Sequence, residues 1–70
     1  MKSTLSNEEI VARIKRRVLS ENPKAYHIYV GEFELYKKEI YSSINTYVKA
    51  EVEYTIDNKD FSEIIELGIL

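Results

Sequence analysis

Side chains that could carry out chemistry are few in this 70-residue sequence. His27 is the only histidine and there is no cysteine, so a nucleophilic triad or a histidine and cysteine metal site lacks its usual components. Aspartate and glutamate are plentiful, with 12 residues, but paired carboxylates need a pocket that a domain this small rarely encloses. The sequence therefore predicts that the protein is not an enzyme and that it binds no metal or cofactor.

The motifs that bind phosphate or calcium are also missing. With only two glycines, the sequence contains no glycine-rich phosphate-binding loop. The run from Asp57 to Asp60 begins like a calcium-binding loop. It fails at the third, fifth and twelfth positions, because Lys59, Phe61 and Gly68 stand where oxygen ligands are required.

Glu51 and Glu53 are the most suggestive carboxylates, because they lie two residues apart in the alternating segment YVKAEVEYTI. Residues two apart on a strand point to the same side. The simplest interpretation is a solvated face that also discourages edge-to-edge pairing of the sheet. The alternative is an acidic surface, extended by Glu32, Glu34 and Asp57, that recognises a basic partner. Such a surface could compete with nucleic acid for a basic groove on another protein.

Tyrosine is the second unusual feature, with six residues in the chain. Tyrosine is enriched at protein interfaces because it buries a large area while its hydroxyl keeps a hydrogen-bond partner. We expect Tyr26 and Tyr54 to lie in or beside the core. The functional alternative places Tyr29, with one of Tyr36 or Tyr41, in a binding surface.

A short basic run, RIKRR, occupies residues 13 to 17. On a helix Arg13, Arg16 and Arg17 share one side, and Glu9 is spaced to pair with Arg13. The run could be a solvated helix face, a ridge that binds protein, or a nucleic-acid contact. Nucleic-acid binding is the least favoured, because the isoelectric point is about 5.4 and nucleic-acid-binding domains are usually strongly basic. Residues 1 to 30 carry a charge of +3 and residues 31 to 70 a charge of −5, which sum to the net −2.

The first element that must position these residues is an N-terminal amphipathic helix. Ser6 and Glu9 have the spacing of a capping box, which predicts the start of a helix. The helix should end near Ser20, because Pro23 disfavours helical geometry in the residue before it. Its apolar residues share one stripe at about 100° per residue: Ile10, Val11, Ile14 and Val18.

The middle of the chain has two interpretations. Alternation from Ala25 to Val30 predicts a strand that Gly31 ends. The apolar residues that follow fit a helical period, so a helix is predicted from about Glu32 to Ile44. The alternative for residues 32 to 45 is a β-hairpin in which Gly31 is a bulge that shifts the apolar phase.

The C-terminal part begins with the clearest strand, residues 47 to 56, which alternates apolar and polar residues. Asp60, with Glu63 three residues later, predicts a short helix that ends near Gly68. The predicted fold class is therefore α+β, with residues 1–70 as a single small domain. Its order is helix, strand, central helix, strand and short C-terminal helix, or α-β-β-β-α if the middle segment is a hairpin.

Length and composition narrow the function further. The longest apolar runs have three residues, far short of the roughly 20 that a membrane span needs. The N-terminus lacks the apolar region of a secretory signal, and a chain without cysteine suits a reducing compartment, so we expect a cytoplasmic location without membrane association.

The function predicted from these features is that of a small non-enzymatic protein-binding module. It would act as a regulator, inhibitor or small subunit by occupying the surface of a partner protein. The composition resembles that of small acidic proteins encoded by phages and other mobile elements. The alternative is a nucleic-acid-binding regulator that uses the basic side of the first helix. The apolar ending Ile69-Leu70 adds a homodimer as a further hypothesis.

Overall fold

The computed structural model describes residues 5–69 and shows one helix followed by a three-stranded antiparallel sheet. The helix α1 spans Asn7–Glu21 and packs on one face of the sheet. The strands are β1 (Tyr26–Ile40), β2 (Ser43–Ile56) and β3 (Lys59–Gly68), with β2 in the centre. Each strand follows its neighbour through a tight turn, so the sheet is a meander.

The predicted N-terminal helix is confirmed together with its capping box. The Glu9 amide donates to Ser6 Oγ at 3.2 Å, and the Ser6 amide donates to Glu9 Oε1 at 3.1 Å. These reciprocal bonds satisfy amides that the first turn leaves without helical partners. The helix closes where the Asn22 amide donates to the Val18 carbonyl, just before Pro23. Within residues 5–69, no helix has the length and apolar character needed to cross a bilayer.

The strand predicted at residues 47 to 56 is confirmed as the centre of β2. Its helix-facing side chains pack against the buried stripe of α1, and the alternate side chains face away from the helix. Burial of this one sheet face and one helix stripe is what holds so short a chain together. The buried residues are Ile10, Ile14 and Val18 from α1, Val48, Ala50, Val52 and Tyr54 from β2, and Ala25, Ile65 and Ile69.

The predicted central helix over residues 32 to 44 is wrong, because β1 continues through this segment and turns back into β2. Gly31 does not end the strand. Val30 pairs with Val52 and Phe33 with Ala50, so two residues of β1 oppose the single Glu51. This is the bulge of the alternative interpretation. A Cβ atom on Gly31 would approach the Glu51 carbonyl oxygen to 3.3 Å, so glycine eases the close approach of the two backbones.

The predicted C-terminal helix is also wrong, because residues 59 to 68 form β3. Asp57 and Asn58 have φ angles of 53° and 63°, the backbone of a two-residue hairpin turn. Asp60 therefore does not cap a helix; its Oδ1 accepts a hydrogen bond from Thr55 Oγ1 at 2.9 Å across the hairpin. Both predicted layouts, including α-β-β-β-α, fail at this end of the chain.

Both helix predictions fail because β2, as the central strand, needs hydrogen-bond partners along both of its edges. A central strand exposes backbone N–H and C=O groups along two edges, and buried groups of this kind need hydrogen bonds. Only the segments directly before and after β2 are close enough along the chain to satisfy them through tight turns. Local helical spacing in those segments is overridden by this requirement.

A second bulge changes the face of Tyr26. Tyr26 pairs with Thr55 and Tyr29 with Glu53, so two residues of β1 again oppose one of β2, and His27 adopts a φ of 53°. Both tyrosines consequently lie on the face away from α1. The expectation that Tyr26 is in the core is wrong, because it is 39% exposed, whereas the same expectation for Tyr54, which is 7% exposed, is confirmed.

Of the two apolar residues at the C-terminus, Ile69 packs in the core. Ile69 is 6% exposed in the core, and its amide donates to the Thr46 carbonyl at 2.9 Å. It therefore does not argue for a homodimer. Leu70 lies outside the described residues.

Candidate functional site

The sheet face away from α1 is the candidate site, and its members follow from the strand register. Directly paired residues of an antiparallel sheet lie on the same face. The pairs Glu34 with Lys49 and Lys49 with Glu66 form one cross-strand row, and Tyr29 with Glu53 begins another. We call this surface the acidic face. Its residues are Tyr26, Tyr29, Glu34, Tyr36, Lys38, Tyr47, Lys49, Glu51, Glu53, Thr55, Asp60, Ser62, Ile64 and Glu66.

Charge on the acidic face is unbalanced. It carries five carboxylates, from Glu34, Glu51, Glu53, Asp60 and Glu66, against two ammonium groups, and all of these residues are exposed. One ammonium group is partly neutralised, because Lys38 Nζ lies 3.7 Å from Glu66 Oε1. The surface therefore has a negative potential that would attract a basic surface and repel nucleic acid.

The acidic face is not flat. A depression of about 730 Å³ at the Gly31 bulge is lined by Glu32, Glu34, Lys49, Glu51 and Ile64, and it extends to Asn7, Phe33 and Ala50 on the helix side. A second one, of about 330 Å³, adjoins Tyr29, Glu53 and Asp60 at the end of the sheet near the Asp57-Asn58 turn. Both have carboxylates in their linings, so basic side chains of a partner could enter them.

Aromatic and apolar groups are interspersed among the charges. Tyr29 is 64% exposed directly opposite Glu53, and Ile64 is 57% exposed opposite Glu51. An exposed tyrosine and isoleucine beside carboxylates combine apolar area with charge, which is the usual composition of a protein interface.

Two tyrosine rings and a lysine pack together at the other end of the acidic face. The rings of Tyr36 and Tyr47 stack with centroids 5.8 Å apart, and Lys38 Nζ lies 4.9 Å from the centroid of Tyr47. Tyr47 also covers Gly68 of β3, where a Cβ atom would lie 3.5 Å from the ring. These contacts hold Tyr36 and Tyr47 in place across all three strands, so little side-chain entropy remains to be lost on binding.

The structure brings most of the predicted partner-binding residues together. Glu51, Glu53, Glu34, Tyr29 and Tyr36 all lie on the acidic face, with Glu32 beside them in the bulge. Tyr41, in contrast, lies apart from these residues. Tyr41 lies in the turn between β1 and β2, at the far end of the hairpin, and is 96% exposed.

The basic run lies on the opposite side of the molecule. Arg13, Arg16 and Arg17 are exposed on α1, which covers the other face of the sheet. Arg17 is engaged within the helix, since its Nε lies 3.0 Å from Glu21 Oε2. The expected pair of Glu9 with Arg13 is wrong, because the Glu9 carboxylate caps Ser6 instead.

Tyr54 lies on the helix side of the sheet, where its environment perturbs its titration. Its hydroxyl donates a hydrogen bond to the Glu63 carboxylate. This bond, together with burial and the nearby negative charge of Glu63, raises the pKa of Tyr54 above its usual value. The Tyr54 ring also stacks on Phe61, with centroids 5.9 Å apart. In residues 5–69, no group of three or more histidine, aspartate or glutamate side chains could hold a metal ion.

Among the residues of the acidic face that the sequence did not predict are Tyr47, Asp60, Ile64 and Glu66. Three of these four lie on β3, which was interpreted as a helix. The signal that would have found them is Asp57-Asn58, because both residue types tolerate the left-handed backbone of a two-residue hairpin turn. A hairpin at this point places Asp60, Ile64 and Glu66 beside β2.

Comparisons with known proteins add no relative, because no protein-family model, no curated protein and no solved structure matches the chain.

Proposed function

We propose that this protein is a small non-enzymatic protein-binding module that uses its acidic face to occupy a basic surface of a partner protein. It would act as a regulator, an inhibitor or a small subunit. The observation that carries the proposal is the excess of five exposed carboxylates over two ammonium groups on a sheet face that also exposes Tyr29 and Ile64. Charge selects the partner and the apolar groups supply buried area.

The regular spacing of these carboxylates supports a basic groove as the target. Glu51 and Glu53 are two residues apart on β2, which is about 6.8 Å along a strand. Glu34 and Glu66 flank Lys49 on the neighbouring strands, each about 4.8 Å away in the hydrogen-bonding direction. A grid of negative charges at these intervals suits a groove whose lysine and arginine residues otherwise contact nucleic-acid phosphates. A chain without cysteine suits the cytoplasm, where we propose that the partner is met.

The test is an affinity capture from nuclease-treated lysate with three forms of the protein. These are the native chain, a double variant Glu51→Gln with Glu53→Gln, and a control double variant Glu8→Gln with Glu39→Gln. All four glutamates are exposed, and both variants remove the same charge. The control substitutions lie off the acidic face, on α1 and on the helix side of β1.

The expected result is a discrete protein that binds the native chain and the control but binds the Glu51 and Glu53 variant at least about tenfold more weakly. Its binding should weaken as salt is raised. Equal capture by all three forms would contradict the proposal. So would nucleic acid as the only bound species, in which case Arg13→Ala, Arg16→Ala and Arg17→Ala should abolish binding and the basic side of α1 would be the active surface.

A further inference from the structure

We infer that the free edge of β3 pairs with the β3 edge of a second copy of this chain, which joins two sheets into one of six strands around a twofold axis at Ile64. This inference does not require the acidic face to bind a partner protein, although Ile64 belongs to both surfaces. It concerns the backbone edge of the sheet, whereas the proposed function rests mainly on the carboxylates of one face.

The first argument is the backbone hydrogen bonding of β3. The Ile69 amide donates to Thr46 of β2, and the groups of an antiparallel ladder alternate between the two edges of a strand. Residues 61, 63, 65 and 67 therefore bond to β2. The N–H and C=O groups of residues 60, 62, 64, 66 and 68 point to the outer edge, which no strand of the described chain occupies.

The second argument compares the two outer edges of the sheet. β1 carries two bulges, at His27-Ile28 and at Gly31-Glu32. Bulges make the edge of a strand irregular, so another strand pairs with it less readily. β3 pairs with β2 in unbroken register from Tyr47 with Gly68 to Ile56 with Lys59, so its own ten residues are regular. It contains no proline, and its single lysine is at its first position. The β3 edge therefore lacks bulges, proline and an internal lysine, and the other charges on it are the carboxylates of Asp60, Glu63 and Glu66.

The third argument is exposed apolar area on both sides of β3. Ile64 is 57% exposed on the acidic face, and Phe61 is 43% exposed on the helix side. A domain of this size gains stability when such residues are buried by a second copy.

Side-chain chemistry selects the register of the pairing. A twofold axis perpendicular to the sheet keeps each face on the same side, so the residues that face each other across it must belong to the same face. Centring the axis on Glu63 would place that carboxylate against itself, and Asp60 against Glu66. Centring it on Ile64 places Ile64 against Ile64, with no pair of carboxylates directly opposed. An axis on Ile65 also opposes no carboxylates, but it would place the exposed Ile64 against Glu66 and centre the junction on a side chain that is already buried. With the axis on Ile64, the pairs are Ile64 with Ile64, Ser62 with Glu66, Asp60 with Gly68, Phe61 with Leu67 and Glu63 with Ile65.

On the helix side of this edge, the charged residues of β3 are Lys59, at its first position, and Glu63. The Glu63 carboxylate accepts a hydrogen bond from Tyr54 of β2, so its charge is directed towards its own sheet rather than across the new junction. Pairing also joins two acidic faces edge to edge. The like charges on these faces repel, so the dimer should become tighter as salt screens them.

Cysteine substitution tests the register directly, because the native chain has no cysteine. In Ile64→Cys the two Cα atoms across the axis would be about 5.5 Å apart, within the range that a disulfide spans. In Ser62→Cys the equivalent atoms would be about 13 Å apart, because each lies opposite residue 66. Ile44→Cys provides a second control at an exposed site on the hairpin, 71% exposed in the native chain.

The expected result in a glutathione buffer is rapid and nearly complete dimer formation by Ile64→Cys and little by the two controls. Sedimentation of the native chain should show a concentration-dependent species of twice 8.2 kDa. Ile64→Lys, with like charges opposed at the axis, should weaken this association at least about tenfold. The inference is overturned if the native chain sediments as a monomer at all concentrations, or if a dimer forms that Ile64→Lys leaves unchanged. Faster oxidation of Ser62→Cys than of Ile64→Cys would also overturn it.

Discussion

The hydroxyl of Tyr54 in β2 donates a hydrogen bond to the carboxylate of Glu63 in β3, at the edge of the core. The two residues are diagonal neighbours, since Tyr54 pairs with Phe61 and Glu63 with Val52. Tyr54 is 7% exposed as a residue, and a hydroxyl on a largely buried side chain is stabilised by a hydrogen-bond partner. The bond links the central strand to β3 and gives stability a specific pH dependence.

The first prediction concerns this bond at alkaline pH. The pKa of Tyr54 is raised in the folded protein by the bond to Glu63, by burial and by the charge of Glu63. Folding therefore favours the protonated hydroxyl, and this contribution is complete below the ordinary tyrosine pKa of about 10. It is lost as the pH rises through the raised pKa. We expect Tyr54→Phe to lower the free energy of unfolding by about 1.5 kcal/mol at neutral pH, and by less at strongly alkaline pH.

Urea denaturation of both proteins at neutral and at strongly alkaline pH measures this effect, because contributions that the two proteins share cancel in the difference between their free energies of unfolding. Glu63→Gln serves as a control that keeps an acceptor for the hydroxyl but removes the charge. It should reduce the alkaline loss without abolishing the hydrogen bond. A difference between native protein and Tyr54→Phe that is unchanged or larger at high pH would contradict the assignment.

The second prediction concerns the buried stripe of α1. Ile14 has no exposed surface, whereas Leu19 on the same helix is 41% exposed. Ile14→Ala should lower the free energy of unfolding by about 2–4 kcal/mol, because it removes buried methylene groups and leaves a cavity. Leu19→Ala should cost less than about 1 kcal/mol. Thermal and chemical denaturation monitored by circular dichroism check both, and equal losses would show that α1 packs on the sheet through a different face.

The third prediction concerns the capping box of α1. Ser6→Ala removes the oxygen that accepts from the Glu9 amide and should lower the free energy of unfolding by about 1 kcal/mol. Ser20→Ala is a matched control near the other end of the helix, where the hydroxyl donates to the Arg17 carbonyl and caps no amide. Ser20→Ala should lower the free energy of unfolding by less, because the higher helix propensity of alanine offsets part of the loss of this hydrogen bond. A loss at Ser20 equal to that at Ser6 would argue against the cap.

The sequence was sufficient for α1 and β2 because their signals are local. The Ser6 and Glu9 cap and the spacing of Ile10, Ile14 and Val18 lie within one segment, as does the alternation of β2. The exposure of Glu51 and Glu53 on the acidic face followed from that alternation.

β1 and β3 were not predictable in the same way, because their conformation depends on pairing with β2. The bulge at Gly31 shifts the apolar phase, so Phe33 faces the helix and Tyr36 faces away, at a spacing that also fits a helix. In β3, Glu63 interrupts the apolar side, and its partner Tyr54 lies on another strand. Glu66 and Asp60 were missed for this reason, as was the row that Glu66 forms with Lys49 and Glu34.

The last prediction concerns the turn between β1 and β2, where Tyr41 and Ser42 have φ angles of 50° and 66°. These values suit a two-residue hairpin turn, but side chains with a Cβ atom disfavour the left-handed region by roughly 1–2 kcal/mol per residue. Replacing Tyr41-Ser42 with Asn-Gly should therefore raise the free energy of unfolding by about 1–2 kcal/mol. Asn58→Gly in the other turn should gain less, because asparagine already tolerates this conformation. Denaturation of the two variants and the native chain gives the comparison. If Asn-Gly leaves stability unchanged or lowers it, the exposed Tyr41 ring contributes to folding through contacts that its 96% exposure does not suggest.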